Sequence, residues 1–261
     1  MLSHLQAVIL GIVQGLTEFL PVSSSAHLVL IPWLFGWDDP GLAFDVALHL
    51  GTLAALLIYY RRAWVGMAAS LVNGDRENRR LLTLVIIATV PGALIGFLFE
   101  KQAETIFRSP ALIAPMLAAL GLALWVLDRA MPMRRKMSEM TAFDALLIGL
   151  SQAFAVIPGV SRSGSTITMG RVLSLEREDA ANFSFLMATP IIAGAGLLES
   201  RKLIHNDLTA DVGLGFIASA VFGIMAIFVL LHFVRTRTYV PFAWYRIIAA
   251  AFVLAVYFHK L

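Results

Sequence analysis

The stretch GIVQGLTEFLPVSSSAH, residues 11–27, is an apolar, helix-forming run that stops at a proline followed by three serines. Pro21 lacks a backbone N–H donor and restricts the residue before it, so a helix is expected to end there. The serines at 23–25 suit the beginning of another helix, because a serine hydroxyl accepts hydrogen bonds from free backbone amides. The stretch therefore predicts two helices joined by a short break inside one apolar region, residues 5–33.

A second apolar region, residues 142–175, is interrupted at Pro158–Gly164 by the sequence PGVSRSG. The two regions match each other at an offset of 138 residues in two places: AVILGIVQ with ALLIGLSQ (7–14 and 145–152), and VSSS with VSRS (22–25 and 160–163). We interpret the match as an internal duplication, with repeat one near 1–130 and repeat two near 142–261.

The composition indicates that much of the chain lies in lipid. Apolar residues make up 59% and charged residues 14% of the sequence, and the mean hydropathy is +0.81. Soluble domains average about 45–50% apolar and about 25% charged residues. Six uninterrupted apolar segments are long enough to cross a bilayer core, which takes about 20 helical residues. They are residues 42–60, 81–100, 110–128, 180–198, 212–234 and 242–259. With the two broken regions, they predict a single all-α polytopic membrane domain over 1–261.

Broken helices at matching places in two halves of a chain indicate an inverted repeat with a site near the bilayer midplane. Non-helical backbone is tolerated at that depth only where it is buried in protein or lines a cavity. Each broken region is therefore predicted to be a re-entrant helix pair, in addition to six transmembrane helices. The basic loops at 61–80 and 129–136 are expected in the cytoplasm. One re-entrant pair then starts outside and the other inside, which makes the repeats antiparallel.

Charge and cysteine content exclude several kinds of protein. The net charge of +3 comes from short basic blocks between apolar runs, which does not suit a nucleic-acid surface. The chain has no cysteine, so disulfides, thiol nucleophiles and cysteine-ligated zinc are excluded. Its first basic residue is Arg61, so the N-terminus is not expected to be a secretory signal peptide.

The first break gathers residue types that carry chemistry. A carboxylate inside an apolar segment costs about 2.5–3.5 kcal/mol on insertion scales, which makes Glu18 a functional candidate. Gln14 lies four residues before Glu18 and shares its helical face. The hydroxyls of Ser23, Ser24 and Ser25 and the imidazole of His27 follow, at a helix start that suits an anion. The alternatives are an interfacial carboxylate and serines that only cap the helix.

The second break is cationic, because Arg162 lies among small and hydroxylic residues: Ser161, Ser163, Gly164, Ser165 and Thr166. A guanidinium matches phosphate oxygens bidentately, and small residues let backbone amides approach a ligand. An arginine at this depth needs an anionic partner. That partner is predicted to be a substrate phosphate lying between Arg162 and Glu18, with a purely structural Arg162–Glu18 pair as the alternative. Asp45 and His49 on the third apolar segment are expected to form a satisfied interior pair, with side chains that face the cavity as the alternative.

The motifs at 11–27 and 158–166, with FDVALHLGTLAA at 44–55, resemble the bacterial undecaprenyl-diphosphate phosphatase family of the bacitracin-resistance type. The resemblance covers nearly the whole chain. It implies an inner-membrane enzyme that opens to the periplasm and removes the terminal phosphate of undecaprenyl diphosphate, which recycles the lipid carrier of cell-wall synthesis. It also implies dependence on a divalent cation. Gln14 stands where the family has Glu or Gln, and Ser25-Ala26 stands where it often has Thr-Gly.

Several assignments stay open at this point. Ser24 is the first choice of nucleophile, with Glu18 or His27 as its base, and the rival assignment makes His27 the nucleophile and Ser24 a phosphate ligand. Gln14 and the hydroxyl-rich residues of both breaks are expected to bind the polyprenyl diphosphate. Mg²⁺ or Ca²⁺ would be held by Glu18 and substrate phosphates, since hard cations favour oxygen ligands. Exposed apolar segments also permit a homodimer.

Two other kinds of membrane protein compete with the phosphatase. A lipid-phosphate flippase or transporter would use the same inverted-repeat architecture. A serine intramembrane protease needs its serine and histidine on separate helices, whereas Ser24 and His27 are three residues apart. The other common lipid-phosphatase superfamily needs a histidine where this chain has Thr168, so it does not fit.

Overall fold

The computed structural model describes residues 3–99, 102, 106–205 and 210–260, and its regular structure there is helical apart from one isolated bridge between Arg135 and Leu175. The α-helices of these ranges are α1 (His4–Phe19), α2 (Ser24–Phe35), α3 (Gly41–Tyr59), α4 (Arg61–Asn73), α5 (Arg76–Leu98), α6 (Pro110–Ala130), α7 (Ala142–Ala153), α8 (Arg162–Val172), α9 (Arg177–His205), α10 (Ala210–Val234) and α11 (Val240–Lys260). Short 3₁₀ turns occupy Ile106–Arg108, Met137–Glu139 and Phe154–Val156.

Five of these helices are long and apolar enough to cross a membrane, namely α5, α6, the Arg177–Leu198 part of α9, α10 and α11. They coincide with five of the six predicted segments, so the chain is an all-helical, multi-pass membrane protein. The remaining segment, 42–60, corresponds to α3, whose apolar part Phe44–Tyr59 is shorter. A sixth transmembrane helix therefore stays a prediction. Large side chains on the outer faces, such as Phe97, Phe228 and Ile248, are exposed as lipid contact requires.

Helix α5 starts at Arg76, before the predicted segment 81–100. Asp75 caps the helix by accepting from the backbone amides of Glu77 and Asn78. The side chain of Asn78 also donates to Asp75, and these hydrogen bonds lower the pKa of that carboxyl. The cap lets a charged first turn, Arg76–Arg80, precede the apolar run.

Both breaks occur where the sequence predicts them, with one difference. Helix α1 ends at Phe19 and α2 begins at Ser24, whereas α7 ends at Ala153 and α8 begins at Arg162. The second break was predicted at Pro158–Gly164, but the helix resumes at Arg162 because the Ser161 hydroxyl accepts from the Gly164 amide and starts the helix there.

Two glycines let the first arm of each broken region approach a long helix closely. A Cβ on Gly11 of α1 would lie 2.4 Å from the carbonyl oxygen of Gly215 in α10. A Cβ on Gly149 of α7 would lie 2.4 Å from the carbonyl oxygen of Ala88 in α5. Each arm is thus held by a long helix from the other half of the chain. This packing brings the two breaks together in the interior.

Candidate active site

The carboxylate of Glu18, at the end of α1, is the centre of the candidate site. Its side chain is buried, with 4% exposed. Oε1 accepts a hydrogen bond from Nη2 of Arg162, and Oε2 accepts one from the Ser24 hydroxyl. Oε2 also accepts from Nε2 of Gln14 at 2.9 Å. The acid of the first break and the guanidinium of the second are therefore in direct contact.

Arg162 is the first residue of α8, and one terminal nitrogen of its guanidinium is free to donate a further hydrogen bond. Nη1 is buried and has no hydrogen-bond partner among the residues that the structure describes. A buried charged donor without a partner is costly, so the site is suited to an additional acceptor. The side chain also lines a cavity, which gives such an acceptor a place to bind.

The cavity has a volume of about 280 Å³ and is lined by both polar and apolar residues. The polar lining residues are Glu18, Ser24, Ser25, Asp45, His49, Gln152, Ser161 and Arg162. The small or apolar lining residues are Val46, Gly92, Gly96, Ala153, Ala155, Val156, Ile191, Ile192 and Ala195. An amphipathic ligand with an anionic head matches this arrangement.

The serines next to the two helix starts make different contacts. The Ser23 hydroxyl accepts from the backbone amide of Gly159 at 3.1 Å, so it connects the two breaks. The Ser163 hydroxyl donates to the carbonyl oxygen of Leu20 at 3.2 Å and connects them a second time. Ser161 caps α8 and also lines the cavity, as Ser24 and Ser25 do.

The other predicted ligand residues lie around the cavity without lining it. Ser165 and Thr166 donate to the carbonyl oxygen of Arg162, at 3.1 and 2.8 Å. The Cα of Gly164 lies against the guanidinium of Arg246, and Gln14 is bonded to Glu18. A role for these residues in substrate binding stays a prediction.

His27 lies in the first turn of α2 and does not line the cavity. Its Nδ1 is 2.7 Å from the carbonyl oxygen of Ser23, and its Nε2 is 2.7 Å from the hydroxyl of Tyr245. The rings of His27 and Tyr245 are stacked, with centroids 5.7 Å apart. Both ring nitrogens thus have partners outside the cavity lining, in contrast with the Ser24 hydroxyl, which bonds to Glu18.

The expectation that Asp45 and His49 form a satisfied interior pair was wrong. Nδ1 of His49 bonds to the main-chain carbonyl of Asp45 at 2.7 Å, and Nε2 lies 3.4 Å from Oε2 of Glu18. The Asp45 carboxylate pairs with Arg108 instead, at 2.9 Å. Both residues line the cavity because their four-residue spacing puts them on one face of α3. The same spacing in the sequence was the signal that could have placed them there.

Sequence reasoning did not single out Gln152 and Arg246 as site residues. Gln152 lines the cavity, and its Oε1 is buried with no hydrogen-bond partner in the described ranges. It matches Gln14 at the offset of 138 residues, which was the available signal.

Arg246 is fully buried in α11 beside both breaks, and a charged residue within a transmembrane segment was its signal.

The oxygen donors at the site fit a cation that arrives with a phosphate ligand. No group of three or more His, Asp or Glu side chains in the described ranges could hold a metal ion alone. Glu18 supplies one carboxylate, and the buried oxygens Gln14 Oε1 and Asp45 Oδ1 have no hydrogen-bond partner in the same ranges. A hard cation here would take further ligands from phosphate.

Comparison with known proteins gives a consistent match. The family model described as bacitracin resistance protein BacA matches residues 7–252. The undecaprenyl-diphosphatase of Moorella thermoacetica is 51% identical over 254 residues, which cover 97% of each chain. The undecaprenyl-diphosphatases of Pelotomaculum thermopropionicum and Pelobacter propionicus are each 50% identical. The first match covers 95% of both chains, and the second covers 97% of this chain and 96% of the relative.

Proposed function

The chain belongs to the bacitracin resistance protein BacA family, and from this premise we propose that it hydrolyses undecaprenyl diphosphate to undecaprenyl phosphate and phosphate. The observation that carries the proposal is the contact of Glu18 with both Ser24 and Arg162, three residues that line a cavity together with apolar side chains. An acid, a hydroxyl and a guanidinium with a free donor are the groups that phosphoryl transfer needs. Recycling of this lipid carrier for cell-wall synthesis and resistance to bacitracin follow as the expected roles.

Arg162 and the start of α2 bind the diphosphate in this proposal. Phosphoryl transfer is catalysed mainly by positioning and by charge stabilisation. Nη1 of Arg162 has a free donor for a phosphate oxygen. Ser23, before α2, makes no capping bond to that helix in the described structure, so the first amides of α2 are available to an anion.

Ser24 acts as the nucleophile, with Glu18 as its base. The Ser24 hydroxyl donates to Glu18 and lines the cavity, so it can pass its proton to the carboxylate as Oγ attacks the terminal phosphorus. The bridging P–O bond of the diphosphate breaks in the same step, and the departing undecaprenyl phosphate takes the proton from Glu18. The rival assignment to His27 is disfavoured because both of its nitrogens bond elsewhere. Water then attacks the phosphorus of phosphoserine and gives a proton to the regenerated Glu18 carboxylate; the bond from phosphorus to Oγ of Ser24 breaks, Glu18 returns the proton to Oγ, and phosphate leaves.

We propose that the site would hold a divalent cation, Mg²⁺ or Ca²⁺, together with the phosphates of the substrate. Glu18 would be its main protein ligand, and the partnerless oxygens of Gln14 and Asp45 support an oxygen-rich setting. When bound, the ion would neutralise charge on the diphosphate oxygens. The side chains of the protein orient the phosphate and transfer the proton.

We further propose that the two broken regions are re-entrant pairs of an inverted repeat in the bacterial inner membrane, with the cavity open to the periplasm. The offset match of the two sequences and the glycine-mediated packing of α1 on α10 and of α7 on α5 support this arrangement. The basic loops at 61–80 and 129–136 support a cytoplasmic location for the ends remote from the cavity. The polyprenyl chain would lie along the apolar residues of the cavity lining.

The decisive test measures phosphate release from C55 diphosphate by protein purified in detergent, with and without a chelator. Wild type should release phosphate, and the chelator should lower the rate. Glu18→Ala should lose about 10²–10⁴-fold in rate, the usual contribution of a general base. Glu178→Ala is the matched control, because Glu178 pairs with Arg235 at the surface. A lipid flippase would release no phosphate in detergent, since transport needs two compartments, and that result would overturn the proposal.

A further inference from the structure

Arg246 of α11 is a fully buried cation that bonds to main-chain carbonyls of three separate elements. Its Nε donates to Leu117 in α6 at 3.2 Å. Nη1 donates to Pro21 in the first break at 3.1 Å. Nη2 donates to Gly159 at 2.7 Å and to Val160 at 3.0 Å, both in the second break. One guanidinium therefore connects the two breaks to each other and to a transmembrane helix.

These carbonyls need a donor from the protein. A break in a helix leaves carbonyl groups without intrahelical partners, and a membrane interior supplies no water for them. The Ser23–Gly159 and Ser163–Leu20 hydrogen bonds connect the same two breaks. The planar guanidinium, with its five donors in fixed directions, can satisfy several carbonyls at once.

Arg246 differs from the other fully buried arginine, Arg171. Arg171 pairs with the carboxylate of Asp128 at 3.0 Å. Arg246 forms no ion pair within the described ranges, and its polar contacts there are carbonyl oxygens. A cation kept at such a desolvation cost without a counter-charge is expected where it has a function.

Two glycines lie against the Arg246 side chain, one at its guanidinium and one at its Cβ. A Cβ on Gly164 of α8 would lie 2.7 Å from Nη1 of Arg246. A Cβ on Gly121 of α6 would lie 3.1 Å from the Cβ of Arg246. The glycine of the SRSGST motif thus accommodates Arg246, which explains why a side chain at this position would disturb the contact between the breaks.

We propose that Arg246 is a positioning residue that fixes the two breaks relative to each other, so that Ser24 and Arg162 meet at Glu18. Pro21 precedes Ser24 by three residues and Val160 precedes Arg162 by two, so holding their carbonyls holds the starts of α2 and α8. The inference rests on the proposed phosphatase function and deepens it. Arg246 itself is not among the residues that line the cavity.

The test compares Arg246→Met and Arg246→Lys with Arg171→Met in the purified, detergent-solubilised chain. Arg246→Met should lower kcat for C55 diphosphate about 100-fold, the loss expected from a displacement of about 1 Å in a catalytic group. KM should change by less than about threefold, because Arg162 and the cavity remain. Arg246→Lys keeps the charge and some donors and should recover part of kcat. Arg171→Met should lower the thermal midpoint but leave kcat of the folded protein within about threefold.

A second measurement does not depend on activity. The chain has no cysteine, so Phe35→Cys and Phe154→Cys provide the only two spin-label sites, and both positions are exposed. The distance distribution between the labels should be narrow with Arg246, and broader or shifted with Arg246→Met. Unchanged distances together with an unchanged kcat would overturn the inference. Absence of phosphate release by wild type, with the distance effect intact, would instead overturn the proposed function alone.

Discussion

The two breaks share a backbone design and differ in charge. In each, a serine with positive φ precedes the returning helix: Ser23 with φ 76° and Ser161 with φ 69°. In each, that hydroxyl lies 3.3 Å from the hydroxyl two residues later. The next position begins the helix, and there the first break has Ser24 and the second has Arg162.

This difference shows how one local backbone design, used twice, brings a hydroxyl and a guanidinium from the two halves of the chain to one carboxylate. Ser24 and Arg162 are separated by the same offset of 138 residues, and both contact Glu18. The first break supplies the acid and the hydroxyl, and the second supplies the cation. Neither half alone has the acid, the hydroxyl and the guanidinium, so the chemistry depends on the packing that joins them.

The largest expected effect tests which residue of the first break is the nucleophile, Ser24 or His27. Ser24→Ala should reduce turnover by about 10⁴-fold or more, as removal of a nucleophile does. His27→Gln should cost less, because His27 bonds to Ser23 and Tyr245 instead of Glu18. Acid-quenched reactions with radiolabelled substrate should carry phosphate on Ser24. Phosphate on His27, with Ser24→Ala still active, would reverse the assignment.

The next effect tests the cationic break. Arg162→Met removes the guanidinium that stabilises charge on the transferred phosphate, and turnover should fall by about 10³-fold or more. Arg235→Met is the control, because Arg235 forms an exposed pair with Glu178. Steady-state phosphate release measures both variants. Near-normal turnover of Arg162→Met would mean that the Arg162–Glu18 contact is only structural.

The smallest effect compares the two serines with positive φ. Ser23→Ala leaves the Gly159 amide without a partner in a dry interior, which should cost about 1–3 kcal/mol. Ser161→Ala removes only a helix cap, worth about 1 kcal/mol. Thermal midpoints in detergent should therefore fall further for Ser23→Ala. Equal midpoints would show that the connection between the breaks adds little beyond capping.

The positions of the helices were largely predictable. Five apolar segments became long helices, and both breaks were located from proline, glycine and serine, because these effects act between near neighbours in the chain. Glu18 and Arg162 could be singled out as site candidates, since a charge in an apolar segment is conspicuous without any structure. Asp45 and His49 were misassigned because their partners, Arg108 and Glu18, are remote in sequence.

The sequence by itself determined that the chain is a helical membrane protein with two matching interrupted regions and with an acid in one and a guanidinium in the other. Only the tertiary structure decided that Glu18 contacts both Ser24 and Arg162, that His27 lies behind the site, and that Arg246 joins the two breaks. Composition and local motifs reflect the solvation energy of the side chains and their interactions with residues nearby in the sequence. Contacts such as Pro21 with Arg246, 225 residues apart, depend on how the helices pack.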